Sequence, residues 1–275
     1  FEGSAGICVL VKERIGIFVD GRYTVQAKNQ TCPPIEIINW PKIKVTDWIM
    51  EVTNHGKIGF DPWLHSVDEI EQYKRSMENT EIIFQATQNL VDLIWKDQPS
   101  APTAKAFQYE DKFAGATQSH KRKTLSKELK ENGNSAAVIT LPEGIAWLLN
   151  MRGGDVEHLP IVQAFAILHS NNEVDIFVDK TKVENLAKHF GKDINIYNEN
   201  EFLQHLIKLA GSVCIDKSSL PFAAYQSLLD SKATLDPRGD ITALPKACKN
   251  EIELSRARDA HLIDAIAMCK FLHWL

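Results

Sequence analysis

One four-residue block occurs twice in this chain. Ile17-Phe18-Val19-Asp20 returns as Ile176-Phe177-Val178-Asp179, 159 positions later. Each copy follows an apolar run and a polar turn, Ile7-Cys8-Val9-Leu10-Val11 ahead of the first and Phe165-Ala166-Ile167-Leu168 ahead of the second. Further on, Gly56-Lys57-Ile58-Gly59-Phe60-Asp61 parallels Gly211-Ser212-Val213-Cys214-Ile215-Asp216 at an offset of 155, and a helical pattern follows each. Generic periodicity can mimic one such match. Two landmarks in the same order predict duplication of a single domain type.

Both halves read as α/β, because short apolar runs (Ile58 to Phe60, Ile82 to Phe84, Ala137 to Ile139) alternate with helical stretches. A length of 275 residues suits two domains of ordinary size. Lys96 to Lys105, polar and carrying Pro99 and Pro102, is the candidate linker, since proline opposes both helix and central strand. The boundaries follow as 1–100, 101–248 and a terminal segment 249–275. Ser66-Val67-Asp68-Glu69 has capping-box spacing at a helix start, and Thr140-Leu141-Pro142-Glu143 repeats it with a proline in the first turn. From Glu251 to Leu275 one long helix carries apolar residues on more than one face and meets no Gly, Asn or Pro. It reads as the opening element of a further domain.

Hydrophobic residues at 44% and charged residues at 24% describe a soluble globular chain. A net charge of -5 argues against nucleic acid or an anionic membrane as partner, because both require a positive surface. Lys121-Arg122-Lys123, the tightest basic run, reads as a solvated helix face. The five cysteines are scattered without a CxxC, unlike a disulfide framework or a zinc cluster, which suits a reducing, cytoplasmic setting. No stretch approaches a membrane span.

Nucleotide loops, HExxH and G-x-S-x-G are all missing from the sequence. Asp61 and His65 stand at helical spacing for a metal but read better as surface polar residues. The most suggestive cluster is Asp20-Gly21-Arg22-Tyr23, where the glycine frees the backbone at a strand end and presents Arg22. A guanidinium there grips a carboxylate or carbonyl through its planar fork, or else sits in a structural ion pair; physics alone favours the pair. The second-half counterpart, Asp179-Lys180-Thr181-Lys182, has neither Gly nor Arg. Arg152-Gly153-Gly154-Asp155-Val156-Glu157-His158 is a docking surface, a ligand loop or a salt-bridged structural turn, and the sequence does not separate these.

Taken together, Phe1-Glu2-Gly3-Ser4-Ala5-Gly6, Phe18 to Ala27, Asn89 to Trp95 with Gln98-Pro99, and Ile145 to Gly153 with Asp155 to His158 resemble the Xaa-Pro aminopeptidases (aminopeptidase P). Lys249-Asn250-Glu251, Ala260-His261 and Phe271 to Leu275 resemble the start of their catalytic domain. Gly154 departs from the Ser frequent in relatives. The resemblance implies two creatinase/prolidase N-terminal-type domains, each a mixed sheet flanked by helices, ahead of a pita-bread catalytic domain of which only the first helix falls within 249–275. It implies a whole protein that removes the N-terminal residue from peptides with Pro second, as a homodimer using two divalent metal ions, usually manganese. The metal ligands and catalytic histidines of that pattern lie beyond residue 275, so no catalytic or metal residue is assigned here and this chain is expected to be inactive alone. Arg22 matches the arginine that contributes to peptide binding. The alternatives are a prolidase, which carries one such front domain, a metal-free pita-bread relative acting as an interaction module, and an unrelated two-domain binding protein whose last helix folds back onto the chain.

Overall fold

The computed structural model describes residues 6–275. The chain divides into two compact units, Phe1–Trp95 and Lys96–Leu275. Phe1 to Ala5, part of the opening block that carries the resemblance, lie outside the described residues.

In the first unit, β1 (Ile7–Val11) and β2 (Arg14–Val19) form an antiparallel hairpin, and β3 (Ile35–Asn39) adds parallel to β2. β4 (His55–Phe60) and β5 (Glu81–Ala86) form a separate parallel pair. Helices Thr24–Gln30 and Val67–Ser76 connect the parallel pairs, as such crossovers require, and Val45–Val52 leads from β3 to β4. Alternation along the hairpin puts Val9, Val11 and Phe18 into a core with Ile38, Trp48, Ile49 and Met77. Phe18 meets Trp48 edge-on at 5.9 Å. Arg14, at the turn end of the hairpin, ties β2 to β3 with a two-pronged bond to Glu36, Nε to Oε1 at 2.6 Å and Nη2 to Oε2 at 2.7 Å. Ser66 caps its helix by accepting the Glu69 N–H at 3.3 Å.

In the second unit, β6 (Phe107–Gln108) pairs with β8 (Met151–Arg152) outside the main sheet. The remaining strands are β7 (Asn134–Ile139), β9 (Phe165–His169), β10 (Val174–Phe177), β11 (Ile194–Tyr197), β12 (Ala210–Cys214) and β13 (Lys232–Asp236). They form one six-stranded mixed sheet in the order β11-β10-β9-β7-β12-β13. β7 and β10 are almost wholly buried, and Ala137 to Ile139 of β7 accordingly reads as a short continuous apolar run. Helices Gln118–Glu131 and Pro142–Leu148 lay Leu125, Leu129, Ile145 and Leu148 against Ala137, Ile139, Ala166 and Leu168. The duplicated blocks occupy equivalent places: Ile17 to Val19 lies in β2 and Ile176-Phe177 in β10, each paired antiparallel to the preceding strand. Gly56 and Gly211 both take positive φ near the start of their strands.

Two expectations are corrected. Lys121 and Arg122 are buried, 5% and 1% exposed, and only Lys123 of that run faces solvent. On the helix Gln118–Glu131 the inward face includes Lys121, Arg122, Leu125, Ser126 and Leu129, so two of its positions are cationic. Their long stems cross apolar surface and deliver the charged heads to carbonyls. Arg122 donates to the Asn172 carbonyl and the Gln118 side chain. Lys121 donates to Trp147 O at 3.0 Å and Asn150 Oδ1 at 2.7 Å, over the Trp147 ring. The second correction concerns Thr140, which does not cap its helix. Leu141 holds the cap position, and Thr140 Oγ1 bonds Ser219 across the sheet instead.

Burial pushes Lys121 down to about 8 from an ordinary 10.5. Below about 8 the ammonium is charged in both folded and unfolded states, and the fold bears its desolvation. Between about 8 and 10.5 the folded protein has released a proton that the unfolded chain still holds, so stability rises with pH in that window. Urea unfolding should show this rise in the native chain and a flatter profile in Lys121→Met. Parallel profiles would refute it.

Candidate functional site

Arg22 stands in the turn that leaves β2. Asp20 organises that turn by accepting the Arg22 backbone N–H at 2.9 Å, while the Tyr23 N–H bonds the Asp20 carbonyl at 3.0 Å and opens the helix Thr24–Gln30. The same carboxylate receives the guanidinium, from Nε at 3.1 and 3.2 Å and from Nη2 at 2.6 Å. The guanidinium also lies 5.3 Å from the Tyr23 ring centre. Arg22 holds Asp20 below the usual carboxylate range, chiefly through that side-chain hydrogen bond.

The pair is asymmetric, with the arginine side chain 71% exposed and the aspartate 19%. One edge of the fork is thus fixed to the turn, and Nη1 makes no hydrogen bond among the described residues. Such a cation is preoriented to receive a carbonyl or carboxylate oxygen. The ion pair and the free edge coexist. Gly21 is not required for this geometry: its φ lies outside the left-handed region and open space surrounds the place a Cβ would take.

The corresponding turn in the second unit uses its cation differently. Asp179 accepts from the Thr181 N–H at 2.9 Å and hydroxyl at 2.8 Å. Lys182 points inward to Asp155 Oδ2 at 2.9 Å, with side-chain exposures of 3% and 0%. The Arg152 to His158 loop is accordingly anchored by a buried ion pair, and Asp155 also accepts the Gln163 N–H at 2.7 Å. Arg152 is committed to the Ala146 and Met151 carbonyls and lies over the Tyr109 ring. His158 stays at the surface.

Near this loop is a cavity of about 440 Å³ whose lining includes Tyr109, Trp147, Arg152, Lys249, Glu253 and Arg256. The sequence search passed over this group, because its members are spread over nearly 150 positions and share no spacing. Asp61 and His65 do not form a metal pair. His65 Nδ1 lies 2.9 Å from Glu69 Oε2, and Tyr73 donates to the same carboxylate. Among the described residues the five cysteines are free, and no group of three or more His, Cys, Asp or Glu side chains could hold a metal ion.

The terminal helix Glu251–Trp274 begins in a reciprocal cap. Asn250 Oδ1 accepts the Glu253 N–H and Glu253 Oε2 accepts the Asn250 N–H, both at 3.0 Å. Asn250 Nδ2 also donates to Ala114 O at 2.9 Å, tying the helix start to the helix Asp111–Ala114. Beyond that anchor Leu262, Ile263, Ile266, Met268, Phe271, Leu272 and Trp274 are all exposed. The helix does not fold back onto the chain.

Known proteins share this architecture. Residues 1–93 and residues 97–253 each match the profile of the creatinase/prolidase N-terminal domain. Aminopeptidase P2 of Arabidopsis thaliana is 31% identical over all of this chain and 44% of its own length. A probable Xaa-Pro aminopeptidase P of Laccaria bicolor is 28% identical, again over all of the chain and 44% of its own length. The crystal structure of X-prolyl aminopeptidase from Caenorhabditis elegans, described as a cytosolic enzyme with a di-nuclear active site, superposes with a TM-score of 0.90 at 27% identity, covering 99% of this chain and 46% of that one. The chain therefore spans less than half the length of these relatives. With both halves matched and the duplication visible in sequence and sheet, the chain belongs to the creatinase/prolidase N-terminal domain family and carries two copies of that domain in tandem.

Proposed function

We propose that these two domains are the non-catalytic front part of a metal-dependent Xaa-Pro aminopeptidase, a cytoplasmic homodimer that removes the N-terminal residue from peptides with Pro second. The observation that carries this reading is the superposition of both domains on the Caenorhabditis elegans enzyme. Residues 1–100 and 101–248 form the two front domains and 249–275 the first helix of the catalytic domain. The exposed apolar faces of that helix support its burial in a third domain, since isolated patches of this kind mark interfaces. The donor set among the described residues does not fit a metal pair. The two divalent ions, manganese in this reading, would belong to the part outside these residues.

The role left to this chain is positioning. Its walls restrict access to short peptides, and Arg22 supplies a fixed donor edge to a peptide oxygen. Hydrolysis of a short Xaa-Pro peptide with added manganese tests this on three proteins: the chain alone, the full-length protein and full-length Arg22→Ala. Only the full-length proteins should turn over, with kcat/KM reduced about 10- to 100-fold in Arg22→Ala, or ~1.4–2.7 kcal/mol of transition-state binding. Arg22→Lys should recover only part, because an ammonium does not reproduce the fork. Activity in the chain alone would overturn the assignment. Inactivity of the full-length protein would instead favour an interaction module.

A further inference from the structure

Arg14 and Arg22 meet their carboxylates through the same edge of the guanidinium. Each presents Nε and Nη2, the first to Glu36 and the second to Asp20. Those two N–H groups are parallel, and theirs is a side of the fork that matches a carboxylate. Arg152 is held differently. Both of its hydrogen bonds leave from Nη1, to the Ala146 carbonyl at 2.9 Å and the Met151 carbonyl at 2.8 Å, and Nε and Nη2 make none among the described residues. The Tyr109 ring centre lies 4.2 Å from the guanidinium carbon and covers one face. Arg152 is thus fixed by one nitrogen and one face, with its carboxylate-binding edge unused. Burial is the largest influence on its pKa and lowers it. A guanidinium keeps its charge all the same, and a desolvated charge calls for a counter-ion. Among the described residues Arg152 has no ion pair.

Arg152 lines the cavity of about 440 Å³ in the second unit, a volume in the ordinary small-molecule range. The wall also carries Lys246, Lys249 and Arg256, set against only two carboxylates, Glu143 and Glu253. Glu253 is already engaged in accepting the Asn250 N–H at the helix cap. The side chains of Lys246 and Lys249 have no hydrogen bond or ion pair among the described residues. A concave wall with an excess of one sign concentrates the opposite charge. Between the charges the lining is apolar, including Ala146, Pro160 and Ala257. A phosphate would gain from the lysines and nothing from that lining, whereas a carboxylate on an apolar body uses both.

We propose that this cavity binds a small organic carboxylate with an apolar body, its two oxygens on Nε and Nη2 of Arg152 and its charge further compensated by Lys246 and Lys249. A free organic acid and the C-terminus of a short peptide offer the same chemistry. The proposal does not rest on the peptidase reading, because no turnover enters it.

Titration calorimetry tests it on the 275-residue chain and on the full-length protein. The probes are phenylacetate, N-acetyl-Ala-Phe, the C-terminal amide of that peptide, and inorganic phosphate. At least one of the two carboxylates should bind ~10-fold or more tightly than the amide, and which one does so tells a free acid from a peptide terminus. Arg152→Lys should weaken that binding about 10-fold, because an ammonium keeps the charge and loses the fork. Arg152 also ties down two carbonyls, so Lys249→Gln, at a side chain with no partner, serves as the second variant. It should weaken binding about 3-fold, with an unchanged urea midpoint. In nitrogen-detected spectra the Arg152 Nε–H resonance should shift on saturation. Carboxylates that bind no better than the amide, an unaltered affinity in Arg152→Lys, or tighter binding of phosphate would each overturn the proposal. So would binding to the 275-residue chain that is lost in the full-length protein, since the rest of the polypeptide would then cover the cavity.

Discussion

Lys182→Ala is expected to destabilise the second domain by about 3–5 kcal/mol, because it strands Asp155 as an unpaired buried charge. The Asp155 side chain is 0% exposed, and among the described residues its Oδ2 meets only the Lys182 ammonium and the Gln163 N–H, while Oδ1 has no hydrogen-bond partner. Loss of Lys182 leaves the buried carboxylate without a countercharge. Urea unfolding should report the loss as a lower midpoint with an unchanged slope. The double replacement Lys182→Met with Asp155→Leu should recover most of it, since removing both charges removes the desolvation as well as the attraction. A midpoint shift worth less than about 1 kcal/mol in Lys182→Ala would show that the pair is not the anchor of this loop.

Gly115→Ala should loosen the terminal helix. Gly115 ends the helix Asp111–Ala114 at φ +68, donating its N–H to Asp111 O at 2.8 Å. A Cβ there would come within 2.2 Å of Asn250 Oδ1, the atom that caps the terminal helix. The left-handed backbone costs roughly 1–2 kcal/mol for a side-chain-bearing residue, and displacing the cap about 1 kcal/mol more. Gly133→Ala is the matched control, with φ +73 but open space around the added carbon. Hydrogen exchange in the first turn after Asn250 should accelerate in Gly115→Ala and stay unchanged in Gly133→Ala. Equal effects would mean that backbone strain alone acts and that Asn250 can yield.

By itself the sequence determined the features that local spacing encodes. The repeated Ile-Phe-Val-Asp blocks, with a second landmark in the same order, marked the duplication, and the alternation of short apolar runs with helical stretches marked the α/β class. Ser66 and Glu69 marked a helix start, and the pattern after Glu251 marked one long helix with apolar residues on more than one face. Tertiary structure alone decided where the charges went. Lys121 and Arg122 read as solvated, yet they point inward to carbonyls of a distant helix and a distant turn. Lys182 finds Asp155 27 residues away, and Thr140 finds Ser219 79 residues away. Arg22 both pairs with Asp20 and keeps a free edge, where the residues alone posed these as alternatives. Helical and strand periodicity depend on neighbours within a few residues, whereas the partner of a buried polar group is set by the order and register of a sheet assembled from strands far apart in the chain.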